Sequence, residues 1–202
     1  MMIVPIIHKA ETVCQYPCRG IDALTGEPEK SKMTDRKHKE RNRYFPDGKI
    51  VLYGISMGAA TVMQASGLPL PESVVGIVED CGFTSAYEEF RHMLKSMAHL
   101  PGFPLLNILG WQCKRFLKLD IKANDSRKCV AATKLPMLFL HGDADAFVPA
   151  AMAKECCAAC AGDKRLVVFE GAAHAQSHFR HPEQYEREFF AFVEHVTSSA
   201  SC

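Results

Sequence analysis

The chain has 202 residues, of which 48% are hydrophobic and 23% charged, a composition that excludes general disorder and suits one globular domain with a buried core. Its formal net charge is +1 at pH 7, whereas proteins that bind nucleic acid or a membrane surface usually carry a concentrated basic field. We therefore expect neither nucleic acid nor a membrane surface among its partners.

The N-terminus predicts a cytoplasmic protein. The first residues, MMIVPIIHKAE, form an apolar run that is too short for a secretory signal and that follows no basic region. No stretch approaches the roughly 18 apolar residues that a membrane span requires. The nine cysteines are an odd number, and we expect their thiols to be reduced.

Three of the cysteines lie close together in the sequence. Cys156, Cys157 and Cys160 fall in an Ala-rich segment and are interpreted as small apolar residues of a helix. A metal site there would need ligands from elsewhere, and Cys14 and Cys18 do not have the spacing of a common zinc knuckle. We expect no metal and no cofactor.

Residues 1–48 differ from the rest of the chain. After the apolar start they are rich in charge and have no clear hydrophobic period. We predict a divergent or partly disordered N-terminal segment over 1–48 and a core domain over 49–202.

From Lys49 onward, predicted strands alternate with predicted helices. Short apolar runs predict strands at 49–55, 73–80, 135–145 and 164–171, and helical periodicity predicts helices at 56–66, 86–100, 107–119, 152–161 and 182–198. This alternation is typical of an α/β fold, with a mostly parallel sheet and helices on both faces. In such a sheet the functional residues lie at the carboxyl ends of the strands.

The first of these strands ends in a serine between two glycines. Gly54-Ile55-Ser56-Met57-Gly58 has the G-x-S-x-G pattern of a nucleophile elbow, in which a sharp turn between strand and helix holds the serine in a strained conformation. Side chains at positions 54 and 58 are expected to collide with the neighbouring strand and helix. The N–H of Met57 would be one oxyanion-hole donor. An ordinary strand–turn–helix connection with glycines for packing has the same pattern.

Acids and a histidine follow two later strands. Asp143 and Asp145 lie in the polar turn that ends the third predicted strand, and His174 follows the fourth, in a loop of small residues. Taken singly, these residues also fit an Asx turn and a solvated loop histidine. A serine, an acid and a histidine after successive strands have the chain order of a hydrolase triad.

These segments resemble the α/β-hydrolase superfamily, in its branch of esterases, serine aminopeptidases and prolyl-oligopeptidase-like enzymes. The resemblance spans roughly residues 49–197 and is carried by GISMGAATV (54–62), EDCGFTS (79–85), PMLFLHGDADAFVP (136–149) and GAAHAQS (171–177).

The resemblance implies a role for each site residue. Ser56 would be the nucleophile and His174 the base. In the family's pattern HG-x-x-D-x-x-VP the acid is the second aspartate, which is Asp145 rather than Asp143. Asp80, at the end of the second strand, is a less favoured acid.

The implied activity is that of a serine hydrolase that cleaves a small-molecule carboxylic ester through an acyl-enzyme. A peptidase or an acyltransferase would use the same triad. A catalytically impaired or truncated relative with a binding role is a further alternative.

The N-terminal part departs from the family, and this departure motivates the last alternative. A full member has several strands before the elbow and a His-Gly-type loop that supplies the second oxyanion N–H. Here no glycine follows His8. We expect N-terminal strands that are reduced or missing, an elbow strand at the edge of the sheet, and no recognisable second donor.

Residues 86–128 lie where the family inserts a helical lid. The apolar residues of this segment are Phe90, Met93, Leu94, Met97, Phe103, Leu105, Leu106, Ile108, Leu109 and Trp111. An apolar lid would suit an acyl or lipid-like substrate. Alternatively, these side chains simply bury the helices against the sheet.

Overall fold

The structure is a computed structural model, and it describes residues 13–15, 48–96, 98–116 and 121–199. Within these ranges the chain forms one sheet of five strands, in which every neighbouring pair is parallel and the spatial order is the chain order. The strands are β1 (Val13–Gln15), β2 (Ile50–Ile55), β3 (Val74–Asp80), β4 (Met137–Gly142) and β5 (Lys164–Phe169).

Seven helices lie between and after these strands in the described ranges. They are α1 (Met57–Ala65), α2 (Ala86–Ser96), α3 (Leu105–Phe116), α4 (Ser126–Ala132), α5 (Ala150–Ala159), α6 (Ser177–Arg180) and α7 (Pro182–Ser199).

The sheet separates two apolar clusters, because successive side chains of a strand point to opposite faces. On one face Leu52 and Phe139 pack with residues of α1, α4 and α5. On the other face Val51 and Leu140 pack with residues of α7. The predicted α/β architecture with helices on both faces is therefore confirmed.

A third apolar cluster lies beyond the carboxyl ends of the strands. Phe83, Ile121 and Val148 are buried there, and Tyr87 and Phe90 of α2 pack against them. This cluster attaches the predicted lid segment to the sheet.

Cys156 and Cys160 of α5 are buried in the first cluster, and Cys157 packs against it. All three are free thiols, as the interpretation of small apolar core residues requires. Burial raises the pKa of the Cys156 thiol, which keeps it protonated and unreactive.

The expectation of an edge position for the elbow strand is wrong. β1 pairs with β2 over Val13↔Val51, Cys14↔Leu52 and Gln15↔Tyr53, so that β2 lies between β1 and β3. A three-residue strand is too short for its alternation to be recognised in the sequence. Most of the predicted segment 1–48 lies outside the described residues, and the boundary at residue 48 stays a prediction.

Two helices were not predicted from the sequence. α4 has seven residues and α6 has four, so neither shows a hydrophobic period. α4 begins after Asp125, whose carboxylate accepts the N–H of Arg127 at 3.0 Å and so caps the helix. Among the helices that the structure describes, none combines the length and the apolar character needed to cross a bilayer.

Candidate active site

Ser56 occupies the sharp turn between β2 and α1. Its backbone has φ 57° and ψ −117°, a positive φ that is uncommon for a residue with a side chain. A serine at this N-cap position normally accepts a hydrogen bond from the first turn of the helix, but Ser56 makes no such bond. The turn therefore leaves the hydroxyl group available for another partner.

The two glycines of the motif differ in their surroundings. A Cβ at position 54 would lie 2.2 Å from the carbonyl oxygen of Gly58, which no real contact allows. A Cβ at position 58 would have no atom within 4 Å. The expected steric requirement therefore holds for Gly54, and it is wrong for Gly58.

The structure brings Ser56, His174 and Asp145 together in one hydrogen-bonded row. The Ser56 Oγ lies 2.8 Å from the His174 Nε2, and the His174 Nδ1 lies 2.7 Å from the Asp145 Oδ2. A carboxylate can only accept, so Nδ1–H donates to Asp145, and Nε2 of the neutral ring accepts the Ser56 hydroxyl proton. This is the protonation pattern that a general base requires.

The surroundings of Asp145 keep its carboxylate ionised. Its Oδ1 accepts the N–H groups of Phe147 and Val148 at 2.9 and 2.8 Å, and its side chain is fully buried. Burial by itself raises the pKa of Asp145, but hydrogen bonds from His141, His174 and Val148 outweigh it and hold the pKa well below its ordinary value. A permanent negative charge therefore faces His174.

His141 is a site residue that the sequence analysis missed. It is buried in β4, where its Nε2 lies 2.8 Å from the carbonyl oxygen of Val148 and 3.5 Å from the Asp145 Oδ2. Burial lowers the pKa of His141, but Asp145 and Glu79 are close enough to raise it overall. A histidine four residues before the acid, at the end of a buried strand, was the available signal.

The other two candidate acids have different partners. The Asp80 Oδ2 accepts the hydroxyl of Tyr185 at 2.9 Å, and that hydroxyl lies 2.8 Å from the hydroxyl of Tyr53. The Asp143 Oδ1 accepts the N–H of Gly171 at 2.6 Å. The structure therefore places Asp145, rather than Asp80 or Asp143, against the histidine.

Met57 is the first residue of α1, so its N–H has no carbonyl four residues earlier within the helix. This donor stands at the positive end of the helix and directly follows Ser56, where an oxyanion would form. The segment in which a second donor was sought, before residue 48, lies almost entirely outside the described residues.

α2 is attached to the loop that carries the acid. The His92 Nε2 lies 3.0 Å from the carbonyl oxygen of Ala146, next to Asp145. Glu89, one helical turn earlier, is buried, and neither of its carboxylate oxygens has a hydrogen-bond partner in the described part of the chain. Burial raises the pKa of Glu89 to about 7, against the opposing fields of His92 and His174.

Seven large apolar side chains among the described residues of the predicted lid segment are exposed. Leu106 is buried, whereas Leu100, Phe103, Leu105, Ile108, Leu109, Trp111 and Phe116 are exposed. Burial against the sheet therefore does not account for these residues.

One group of potential metal ligands coincides with this site. One ligand atom each of Cys81, Asp145 and His174 lies within 4.8 Å of the others. The Asp145 oxygens and the His174 nitrogens already have hydrogen-bond partners, and burial raises the pKa of Cys81 so that it stays a thiol. A metal ion would have to displace these bonds, so the donors suit proton transfer better than metal binding.

No protein-family model matches the chain. The uncharacterized protein YqkD of Bacillus subtilis (strain 168) is 27% identical over 163 residues, which are 79% of this chain and 52% of YqkD. The chain thus spans about half the length of this curated relative.

Two solved structures resemble the chain in fold. The acylaminoacyl peptidase of Pyrococcus horikoshii matches 85% of this chain and 28% of its own, with a TM-score of 0.64 and 16% identity. The Pyrococcus furiosus esterase Pf2001 matches 86% of this chain and 64% of its own, with a TM-score of 0.64 and 18% identity. The predicted resemblance is confirmed at the level of the fold, and the chain has the fold of the α/β hydrolases.

Proposed function

We propose that the chain is a serine hydrolase that cleaves a carboxylic ester through an acyl-enzyme. The observation that carries the proposal is the unbroken row of hydrogen bonds from the Ser56 hydroxyl through His174 to Asp145. The three residues follow different strands and are 118 and 29 positions apart in the two bonded pairs, so local sequence proximity does not explain the arrangement.

In the first half of the reaction, the His174 Nε2 takes the proton of the Ser56 hydroxyl while Oγ bonds to the carbonyl carbon of the ester. Asp145 stabilises the imidazolium that forms. The negative charge that develops on the carbonyl oxygen meets the Met57 N–H and the positive end of α1. The bond to the alcohol then breaks, and Nε2–H gives its proton to the leaving oxygen.

In the second half, water replaces the alcohol. Nε2 takes a proton from the water as its oxygen attacks the acyl carbon, and the bond between Oγ and that carbon breaks. Oγ recovers a proton from His174, and the carboxylic acid leaves. Each group thus returns to its starting state.

An ester is the proposed substrate class because the chain shares its fold with the Pyrococcus furiosus esterase Pf2001 over 86% of its residues, and an apolar lid would be compatible with an acyl group. A peptidase would protonate an amine instead of an alcohol, and an acyltransferase would admit a second alcohol in place of water. Both would use the same three residues.

A fluorophosphonate probe tests the nucleophile directly. We expect labelling of the wild-type protein, no labelling of Ser56→Ala, and unchanged labelling of Ser96→Ala. The exposed Ser96 hydroxyl donates to the His92 carbonyl and has no part in the triad. Absence of labelling in a folded wild-type protein would refute the proposal and favour a binding protein with a hydrolase fold.

Two substrate series then separate the related activities. If the protein is an esterase, p-nitrophenyl esters should be hydrolysed with a dependence on acyl length, whereas aminoacyl p-nitroanilides should not be hydrolysed. A faster release of p-nitrophenol on adding a second alcohol, with formation of the new ester, would instead identify an acyltransferase.

A further inference from the structure

We infer that the predicted lid docks on an anionic lipid surface through a patch that we call the lid surface: Leu100, Phe103, Leu105, Ile108, Trp111 and Phe116. The inference concerns binding and does not depend on the proposed hydrolysis. It goes beyond the proposed function because it names a partner, a lipid–water interface.

The lid surface exposes more apolar area than isolated surface residues would. The side chains of Phe103, Trp111 and Phe116 are 76%, 63% and 69% exposed. Contiguous apolar patches of this kind on soluble proteins usually mark a binding site. Removing such side chains from water is favourable and would be the main source of the affinity.

α3 has apolar residues on two sides. One side packs against the protein, and the other faces water. Leu106 is buried, and a Cβ at Gly110 would lie 3.6 Å from the Ile121 side chain, so this side of the helix faces the protein. Ile108 and Trp111, three residues apart, lie on the opposite side and are exposed. An apolar outer face of a helix is typical of a surface that binds an apolar partner.

The charge around the lid surface indicates which partner this is. Residues 91–119 include Arg91, Lys95, Lys114, Arg115 and Lys118, and they include no aspartate or glutamate. Because the whole chain has a formal net charge of only +1, the remaining residues carry a net negative charge. The near-neutral total is therefore compatible with a local basic field, and our inference departs here from the expectation of no membrane-surface partner.

The two acids at the start of α2 do not cancel this field. The Glu88 Oε1 is paired with the Arg127 guanidinium at 3.0 Å, and Glu89 is buried. A helix that presents Trp, Phe and Leu beside Lys and Arg binds at the boundary of headgroups and acyl chains, and anionic lipids strengthen that binding.

Two other occupants fit less well. A second copy of the chain would bring two sets of like charges together across a symmetric interface. Single-stranded nucleic acid would use the cations and the aromatic rings, but Leu100, Leu105 and Ile108 offer no ring on which a base could stack.

The chain contains one tryptophan, Trp111, so its fluorescence reports on the lid surface alone. We would titrate the Ser56→Ala protein with vesicles of phosphatidylcholine and phosphatidylglycerol in equal amounts, and separately with pure phosphatidylcholine. We expect a blue shift of the emission and co-sedimentation, with affinity at least about tenfold higher for the anionic vesicles and reduced by salt.

Matched variants test the two contributions while Trp111 is kept. Phe103→Ser with Phe116→Ser should weaken vesicle binding at least about tenfold, and Lys114→Glu with Arg115→Glu should abolish the preference for anionic vesicles. Phe179→Ser, at a residue that is 82% exposed outside the lid segment, should bind like the parent protein. Circular dichroism confirms that each variant is folded.

Four results would overturn the inference. Two of them concern lipid: an emission that neither kind of vesicle changes, and an equal affinity for neutral and anionic vesicles. A blue-shifted emission before lipid is added, if it depends on protein concentration, would indicate a second copy of the chain. A shift that occurs only with a single-stranded oligonucleotide would indicate nucleic acid. None of these results bears on fluorophosphonate labelling of wild-type Ser56, so the two proposals fail separately.

Discussion

Gly54 faces the carbonyl group of Gly58 so closely that a Cβ at position 54 would lie 2.2 Å from the oxygen atom. Gly58 itself faces open space within 4 Å. The two glycines of the motif are thus not equivalent. Gly54 is required because it lets α1 begin directly against β2, whereas no steric reason for Gly58 is found in the structure.

Alanine substitutions at the two glycines should therefore have opposite effects. We expect Gly54→Ala to lower the free energy of unfolding by more than about 3 kcal/mol, because backbone atoms must move to admit the methyl group. Gly58→Ala should be neutral or stabilise by up to about 1 kcal/mol, because alanine favours the helix. Urea unfolding measures both values, and equal destabilisation would contradict this account.

The assignment of Asp145 as the acid of the triad can be tested with a substitution that keeps the size of the side chain. Asp145→Asn keeps an oxygen for the N–H groups of Phe147 and Val148 but no longer fixes the histidine tautomer. We expect kcat/KM for a p-nitrophenyl ester to fall about 10⁴-fold with KM little changed. Asp143→Asn is the control and should retain activity within about threefold, because in the described part of the chain the Asp143 carboxylate accepts the Gly171 N–H and does not contact His174. Comparable losses in the two variants would argue against Asp145 as the acid.

Tyr185 connects Asp80 to Tyr53. Since the Tyr185 hydroxyl donates to the Asp80 carboxylate, the Tyr53 hydroxyl must donate to Tyr185. Tyr185→Phe leaves a buried carboxylate without its donor and should cost about 1–3 kcal/mol near pH 8. Tyr53→Phe removes one bond between neutral groups and should cost about 1 kcal/mol or less. Chemical denaturation at one pH distinguishes the two, and the reverse order would refute this assignment of donors.

Burial of Glu79 predicts a stability that falls as pH rises. Burial raises the pKa of Glu79 from 4.5 to about 7, so the folded chain holds this proton more tightly than the unfolded chain does. The stability that the buried Glu79 carboxyl group contributes is fully present below its ordinary pKa of 4.5 and is lost as pH rises through about 7. Glu79→Gln can still accept the Gly82 N–H and should remove up to about 3 kcal/mol of this pH dependence.

The measurement for Glu79 is the free energy of unfolding at pH 5, 6, 7 and 8 for both proteins. A residual slope of the same sign should remain in Glu79→Gln, because burial also raises the pKa of Asp80 to about 6 and that of Glu89 to about 7. A variant as pH-dependent as the wild type would exclude Glu79 as a source of the slope.

The sequence predicted that the candidate triad residues meet, because the carboxyl ends of parallel strands lie at the same edge of a sheet. Once the strands before Ser56, Asp145 and His174 were recognised, their meeting followed from topology. His141 was missed because a histidine inside an apolar run gives no sign of its partners until β4 and the loop after it are placed. α4 and β1 were missed because they are too short to show a period.

Sequence periodicity also could not decide whether the apolar lid residues are buried or exposed. An apolar stripe shows that a helix has two unlike faces, but it does not show which face meets the protein. In α3, Leu106 faces inward whereas Ile108 and Trp111 face water, and this division depends on where Ile121 lies. The domain boundaries at residue 48 and at 86–128 remain predictions.

The spatial order of the strands is also their order of synthesis, since β1 to β5 follow one another across the sheet. A chain that leaves the ribosome can add each strand to the edge formed by the one before it, and domains generally begin to fold from the N-terminal side during translation. His174 follows the last of these strands. A nascent chain would therefore display Ser56 beside β1, β3 and β4 while it still lacked the base, and the proposed nucleophile would stay inert until the segment that carries His174 had emerged and docked.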